Sequence, residues 1–197
     1  MNFRRTTLAA LAPIAILSLP SCGINAIPTD EEAAKARWAD VQNEYQRRAD
    51  LIPNLVATVK GYAAQEKDVL TQVTEARAKA TSINITTDDL SNPERLKQFG
   101  DAQNQLTQAL GQLRTVVEAY PELKSNENFL ALQSQIEGTE NRIGIARRDY
   151  NAAVQAYNTR IRTFPDVVGA KVIYGSKPMA TFEATTPGSD KAPTVSF

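Results

Sequence analysis

A chain of 197 residues that contains no histidine and a single cysteine lacks most of the usual catalytic apparatus. Zinc sites, Cys–His pairs, Ser–His–Asp triads and helical di-iron sites built on Glu-x-x-His all need residue types that are missing here. Lys+Arg 22 balance Asp+Glu 22, and loss of Arg4 and Arg5 with a leader makes the remainder slightly acidic, which argues against nucleic acid or an anionic surface as principal partner.

The first segment reads as an export signal. Arg4 and Arg5 give a positive start, Leu8 to Leu19 an apolar stretch short for a bilayer span, and Leu19-Pro20-Ser21-Cys22-Gly23 closes it. That closing run resembles the bacterial lipobox, with Pro20 standing where a small residue is usual. The resemblance implies cleavage before Cys22, a covalent diacylglycerol on its thiol and an acyl chain on its new amino group. Residues 1–21 are then a lipoprotein signal peptide and residues 22–30 a tether. Gly23 is not the aspartate that commonly retains lipoproteins in an inner membrane. The expected location is the bacterial cell envelope, with the periplasmic face of the outer membrane favoured over the inner membrane.

From Glu31 the periodicity is helical. Trp38, Val41, Tyr45, Ile52, Leu55, Val59, Val69 and Val73 recur in steps of three and four, with Arg48 and Glu66 on the same seam. Pro53 cannot donate to the carbonyl of residue 49. The pattern therefore predicts one long helix kinked near Asp50 to Pro53, or two collinear helices with Asp50 capping the second. After a polar connection, Ser91-Asn92-Pro93-Glu94 has capping-box spacing. It opens a helix through Leu96, Phe99, Gln103, Leu106, Leu110, Leu113 and Val117 that Pro121 ends.

A last helix starts near Ser125 or Asn126 and places Phe129, Ile136, Ile143, Tyr150, Tyr157 and Phe164 on one stripe before Pro165. Val172 to Phe182 reads as an extended strip along the bundle, and residues 185–197, rich in Thr, Ser, Pro and Gly, as a disordered tail. The expected fold is all-α. It is an antiparallel up-down-up bundle of three long helices over residues 31–184, with the first and last parallel. Splitting the first helix makes the count four.

Arg47-Arg48-Ala49-Asp50-Leu51-Ile52-Pro53-Asn54-Leu55-Val56, followed by Lys60-Gly61-Tyr62, Glu66 and Ala76-Arg77, resembles the first block of the LemA family. Tyr120-Pro121-Glu122-Leu123, Asn128-Phe129, Glu140-Asn141, Ala146-Arg147, Tyr150-Asn151, Tyr157-Asn158 and Phe164-Pro165 resemble the second. The resemblance covers most of Trp38 to Ala170. It implies a helical bundle exposed outside the cytoplasm, usually held by an N-terminal transmembrane helix; this chain departs by ending its apolar segment in a lipobox-like run. It implies no catalytic residues. Members are thought to be membrane-associated interaction or assembly factors, often encoded near TPM-domain proteins or membrane proteases.

Arg48, Glu66, Glu140 and Arg147 lie on or beside apolar stripes. With the first and last helices parallel, Glu66 comes level with Arg147 and Arg48 with Glu140, which predicts two ion pairs that fix register. The competing reading makes them a polar groove for a ligand. Asp50, Pro53 and Asn54 break local helix rules and offer carbonyls to a partner. Tyr150 and Tyr157 are expected in the core, leaving Asn151 and Asn158 to join the ion-pair network or to bind a partner's backbone. The C-terminal Val195-Ser196-Phe197 has the form that a PDZ-type groove captures.

These features point to a non-catalytic, lipid-anchored envelope protein that binds an unidentified envelope protein, without metal, cofactor or nucleic acid. Its alternatives are a module that binds lipid or cell-wall polymer near the kink, and a hydrolase using carboxylates such as Asp50 and Glu66.

Overall fold

The computed structural model describes residues 25–183. Cys22, the leader before it and the expected tail lie outside that range. Four long helices carry the fold: α1 (Ala26–Tyr62), α2 (Lys67–Ser82), α3 (Pro93–Val117) and, after the one-turn α4 (Pro121–Lys124), α5 (Glu127–Arg160). A further turn, α6 (Asp166–Gly169), runs into a wide π-type turn (Ala170–Tyr174), beyond which the chain is extended to Glu183. The described residues contain no strand.

The first helix does not end at its proline. Pro53 leaves the Ala49 carbonyl without its helical donor, and Arg77 of α2 supplies one instead, its Nε 2.7 Å from that oxygen. The chain turns ten residues later. Ala63 leaves helical geometry at φ −126° and ψ 49°, the Glu66 amide bonds back to the Ala63 carbonyl, and α2 starts at Lys67. The break expected near Asp50 to Pro53 thus lies at 63–66, and it is a full reversal.

That reversal changes the topology. Arg77 on Ala49 sets α2 antiparallel to α1, and Gln103 on the Ala80 carbonyl sets α3 antiparallel to α2. Helix α5 then runs opposite to α1, with Arg160 on Asp30, Arg142 on Glu44, Arg48 on Glu140 and Asn126 on Tyr62 in descending order. The path is up-down-up-down, and the long α1 and α5 are antiparallel. The three-helix bundle with parallel first and last helices is corrected accordingly.

Helix starts follow side-chain chemistry. Asn92 caps α3 by accepting from the amides of Glu94 and Arg95, with Pro93 in the first turn. Asn92 therefore takes the capping place expected of Ser91. Asn126 accepts from the Phe129 amide at the start of α5. Helix α1 begins at Ala26, ahead of the expected Glu31, and α5 stops at Arg160, leaving Phe164 84% exposed instead of on the core stripe.

Candidate functional site

A polar layer divides the core. On one side Trp38, Tyr45, Phe99, Ile143, Tyr150 and Phe182 pack together, and on the other Ile52, Leu55, Val59, Leu106, Leu113, Phe129 and Ile136 do so. Between them each of three helices places one polar residue: Arg48 between Tyr45 and Ile52, Gln103 between Phe99 and Leu106, and Glu140 between Ile136 and Ile143. Arg48 is 1% exposed. Its Nη1 reaches Glu140 Oε1 at 2.5 Å and Thr107 Oγ1 at 2.9 Å, and its Nη2 reaches Gln103 Oε1 at 2.7 Å and the Gln103 carbonyl at 3.2 Å. The guanidinium also lies over the Tyr45 ring, 5.2 Å from its centre. Only its Nε lacks a partner.

The Glu140 side chain is 36% exposed, so the layer meets solvent at one edge. A mostly apolar cavity of about 170 Å³ opens there, lined by Leu55, Leu110, Phe129, Ile136 and Glu140 among others.

Glu66 and Arg147 do not meet. In the antiparallel pair Glu66 comes level with Tyr120, whose hydroxyl donates to Glu66 Oε1 at 2.7 Å. Arg147 sits near the middle of α5, well away from the 63–66 turn, over the Phe182 ring at 4.5 Å, and donates to the Glu183 carbonyl. The expected pair fails because it assumed parallel helices.

Asn151 and Asn158 hold the chain's own returning strip. Asn158 donates to the Met179 carbonyl at 2.8 Å and accepts from the Met179 amide at 2.9 Å; Asn151 does the same with Phe182 at 2.9 Å for both bonds. The geometry is a coincidence of two rises. Seven helical residues advance ~10.5 Å, and three extended residues advance ~10 Å. Between the two clamps the Tyr150 hydroxyl donates to the Ala180 carbonyl, whose own amide reaches the Leu90 carbonyl at 2.7 Å. Each amide side chain thus makes one donor and one acceptor bond within the chain, in a form the sequence shows as a seven-residue Tyr-Asn repeat.

Burial raises the hydroxyl pKa of Tyr45, Tyr150 and Tyr157, while a hydrogen bond to the Glu66 carboxylate raises that of Tyr120. Asp50, Pro53 and Asn54 are exposed on α1, and Asp50 accepts from Gln46 at 2.7 Å. Asp50 and the end of α1 stand ~18 Å apart along the helix, so Asp50 and Glu66 form no acid–base pair. Arg77 carries the resemblance without any sequence sign of its role at Ala49, and Thr107 shows in sequence only as a hydroxyl beside a seam.

A wide, shallow groove of about 560 Å³ runs beside the clamp and is lined by Arg148, Asn151, Gln155, Asn158, Thr159 and Arg162. No helix among the described residues is long and apolar enough to cross a membrane.

The LemA family model matches residues 37–197. Magnetosome protein MamQ 2 of Paramagnetospirillum magneticum is 27% identical over 174 residues, covering 80% of this chain and 64% of the relative. Magnetosome protein MamQ of Magnetospirillum gryphiswaldense is 26% identical with the same coverage. Protein LemA of Metamycoplasma hominis is 26% identical over 140 residues, 71% of this chain and 60% of that one. The chain spans somewhat less than two thirds of the length of these relatives. The Arg48–Glu140 pair, the Arg77 support of Pro53 and the Tyr-Asn side of the clamp are built from residues that carried the resemblance, and the chain belongs to the LemA family.

Proposed function

We propose that this is a non-catalytic envelope protein, held to a membrane through lipid on Cys22, that docks other membrane or periplasmic proteins on its helical faces. The observation that carries the reading is the use of the motif residues. Arg48, Arg77, Tyr150, Asn151 and Asn158 bond to neighbouring helices and to backbone, and so build a stiff rod rather than a reactive cluster. Helix α1 alone extends ~55 Å. A rod attached at one end presents its exposed polar faces, including Asp50 and Asn54, at a set distance from a bilayer. The Gly23 position favours the periplasmic face of the outer membrane.

Photoreactive residues at Asn54 and, separately, at Gln155 beside the groove test this in living cells. Discrete protein adducts that vanish when Cys22 is replaced by Ser are expected. Adducts restricted to glycan or lipid favour the second reading, a module for cell-wall polymer, for which the amide- and arginine-lined groove beside Asn151 and Asn158 is the supporting feature.

A further inference from the structure

We infer that the elbow between Arg162 and Lys177 is a second membrane contact, seated in the interface of an anionic bilayer. This rests on the anchored reading of the N-terminal segment.

Five of the eight large apolar side chains that stand exposed among the described residues fall within this elbow: Phe164, Val168, Val172, Ile173 and Tyr174, against Tyr62, Leu130 and Ile145 elsewhere. Phe164 is 84% exposed and Val172 78%. Folding normally removes such side chains from water when a core is within reach. Here the elbow turns its small residues inward, Gly169 and Ala170 being buried, and its branched ones outward. The arrangement is closed by Gly175 at φ +58°, a conformation that favours glycine, and by the Ser176 amide on the Ala170 carbonyl.

Position and charge identify the occupant. Arg160 binds both Asp30 in the first turns of α1 and Asp166 in the elbow, which fixes the elbow at the end of the rod where α1 begins. Cys22 precedes Asn25 by three residues, a reach of ~10 Å at most. A lipid on that cysteine therefore sets this end of the bundle against the headgroups. Arg162, Lys171 and Lys177 flank the apolar residues, and none has an acidic partner among the described residues. The only carboxylate between them, Asp166, is turned inward on Arg160 and 13% exposed. The chain is neutral overall, and Asp30, Glu31 and Glu32 at the start of α1 are matched by Arg160 and Lys35, which leaves the elbow itself with a local excess of positive charge around Val, Ile, Phe and Tyr. That is the composition of an interfacial insertion into anionic lipid.

The test uses the full, lipidated chain in phosphatidylethanolamine–phosphatidylglycerol vesicles, with Val172→Cys carrying a polarity-sensitive fluorophore and Ala64→Cys, exposed at the far end of the rod, as control. Diacylglycerol on the Cys22 thiol leaves each variant one free thiol. The expected result is a blue shift and quenching by shallow nitroxide lipids at position 172, with neither at 64. Vesicle-bound protein whose label at 172 stays aqueous overturns the elbow and leaves the anchor standing. A label shielded from water but untouched by nitroxide lipid assigns the face to a protein and also overturns it. Quenching at 172 that persists when Cys22 is replaced by Ser keeps the elbow and removes the anchor; protein that fails to float with vesicles removes both.

Discussion

Arg48 is a cation enclosed by three helices, and the two ends of its ion pair are unequal. Arg48 is 1% exposed and the Glu140 side chain 36%. Removing the carboxylate strands a charge in a low-dielectric layer, whereas water can rehydrate a stranded Glu140. Glu140→Ala is therefore expected to destabilise by ~3 kcal/mol, near the lower end of what breaking a buried pair costs. Adding Arg48→Met should recover much of that loss, because the buried charge goes with it. Urea denaturation of the single and double variants checks this, and a double variant no more stable than Glu140→Ala contradicts it. The buried tyrosines give a second expectation. Burial raises the folded-state pKa of Tyr45, Tyr150 and Tyr157 above the unfolded value of about 10. Below that value both states are protonated and nothing is lost. Above it the unfolded state releases protons that the folded state retains, so stability falls as pH rises, at up to ~1.4 kcal/mol per pH unit for Tyr150, which carries the largest upward shift. Thermal melts between pH 9 and ~11 should show the decline, reduced in Tyr45→Phe.

At the scale of elements, long-range partners decide what local rules leave open. Arg77 carries the Ala49 carbonyl that Pro53 cannot serve. Arg77→Ala is expected to cost ~1–3 kcal/mol, the range for an unsatisfied buried group. In a Pro53→Ala background the amide returns, and the same substitution should cost much less. A double-mutant cycle measures the coupling, and additive effects contradict it. The clamp is tested similarly. Asn158→Ala should raise amide exchange at Met179 and Phe182 while exchange in the α1–α5 core changes little. Helical periodicity made the all-α class and the rough extents of α3 and α5 legible in sequence. The turn at 63–66 was not, because Val69 and Val73 of α2 continue the phase of α1 while Pro53 is the stronger local breaker. Register suffered for the same reason. Arg48 and Glu140 come level near mid-bundle in the antiparallel arrangement, but Glu66 lies at the 63–66 turn while Arg147 stays near the middle of α5. The sequence leaves Asn151 and Asn158 either to join the ion-pair network or to bind a partner's backbone; that they bind backbone, and the chain's own, depends on a strip some twenty residues later.

In the whole molecule, the proposed anchor lies at the end of the bundle where α1 begins, and both docking along the helical faces and seating of the 162–177 elbow depend on that orientation. The direct measurement is mass spectrometry of the membrane-extracted chain after proteolysis. A new N-terminus at Cys22 bearing diacylglycerol and an acyl chain is the predicted result. An unmodified Cys22 still joined to Ser21 contradicts it.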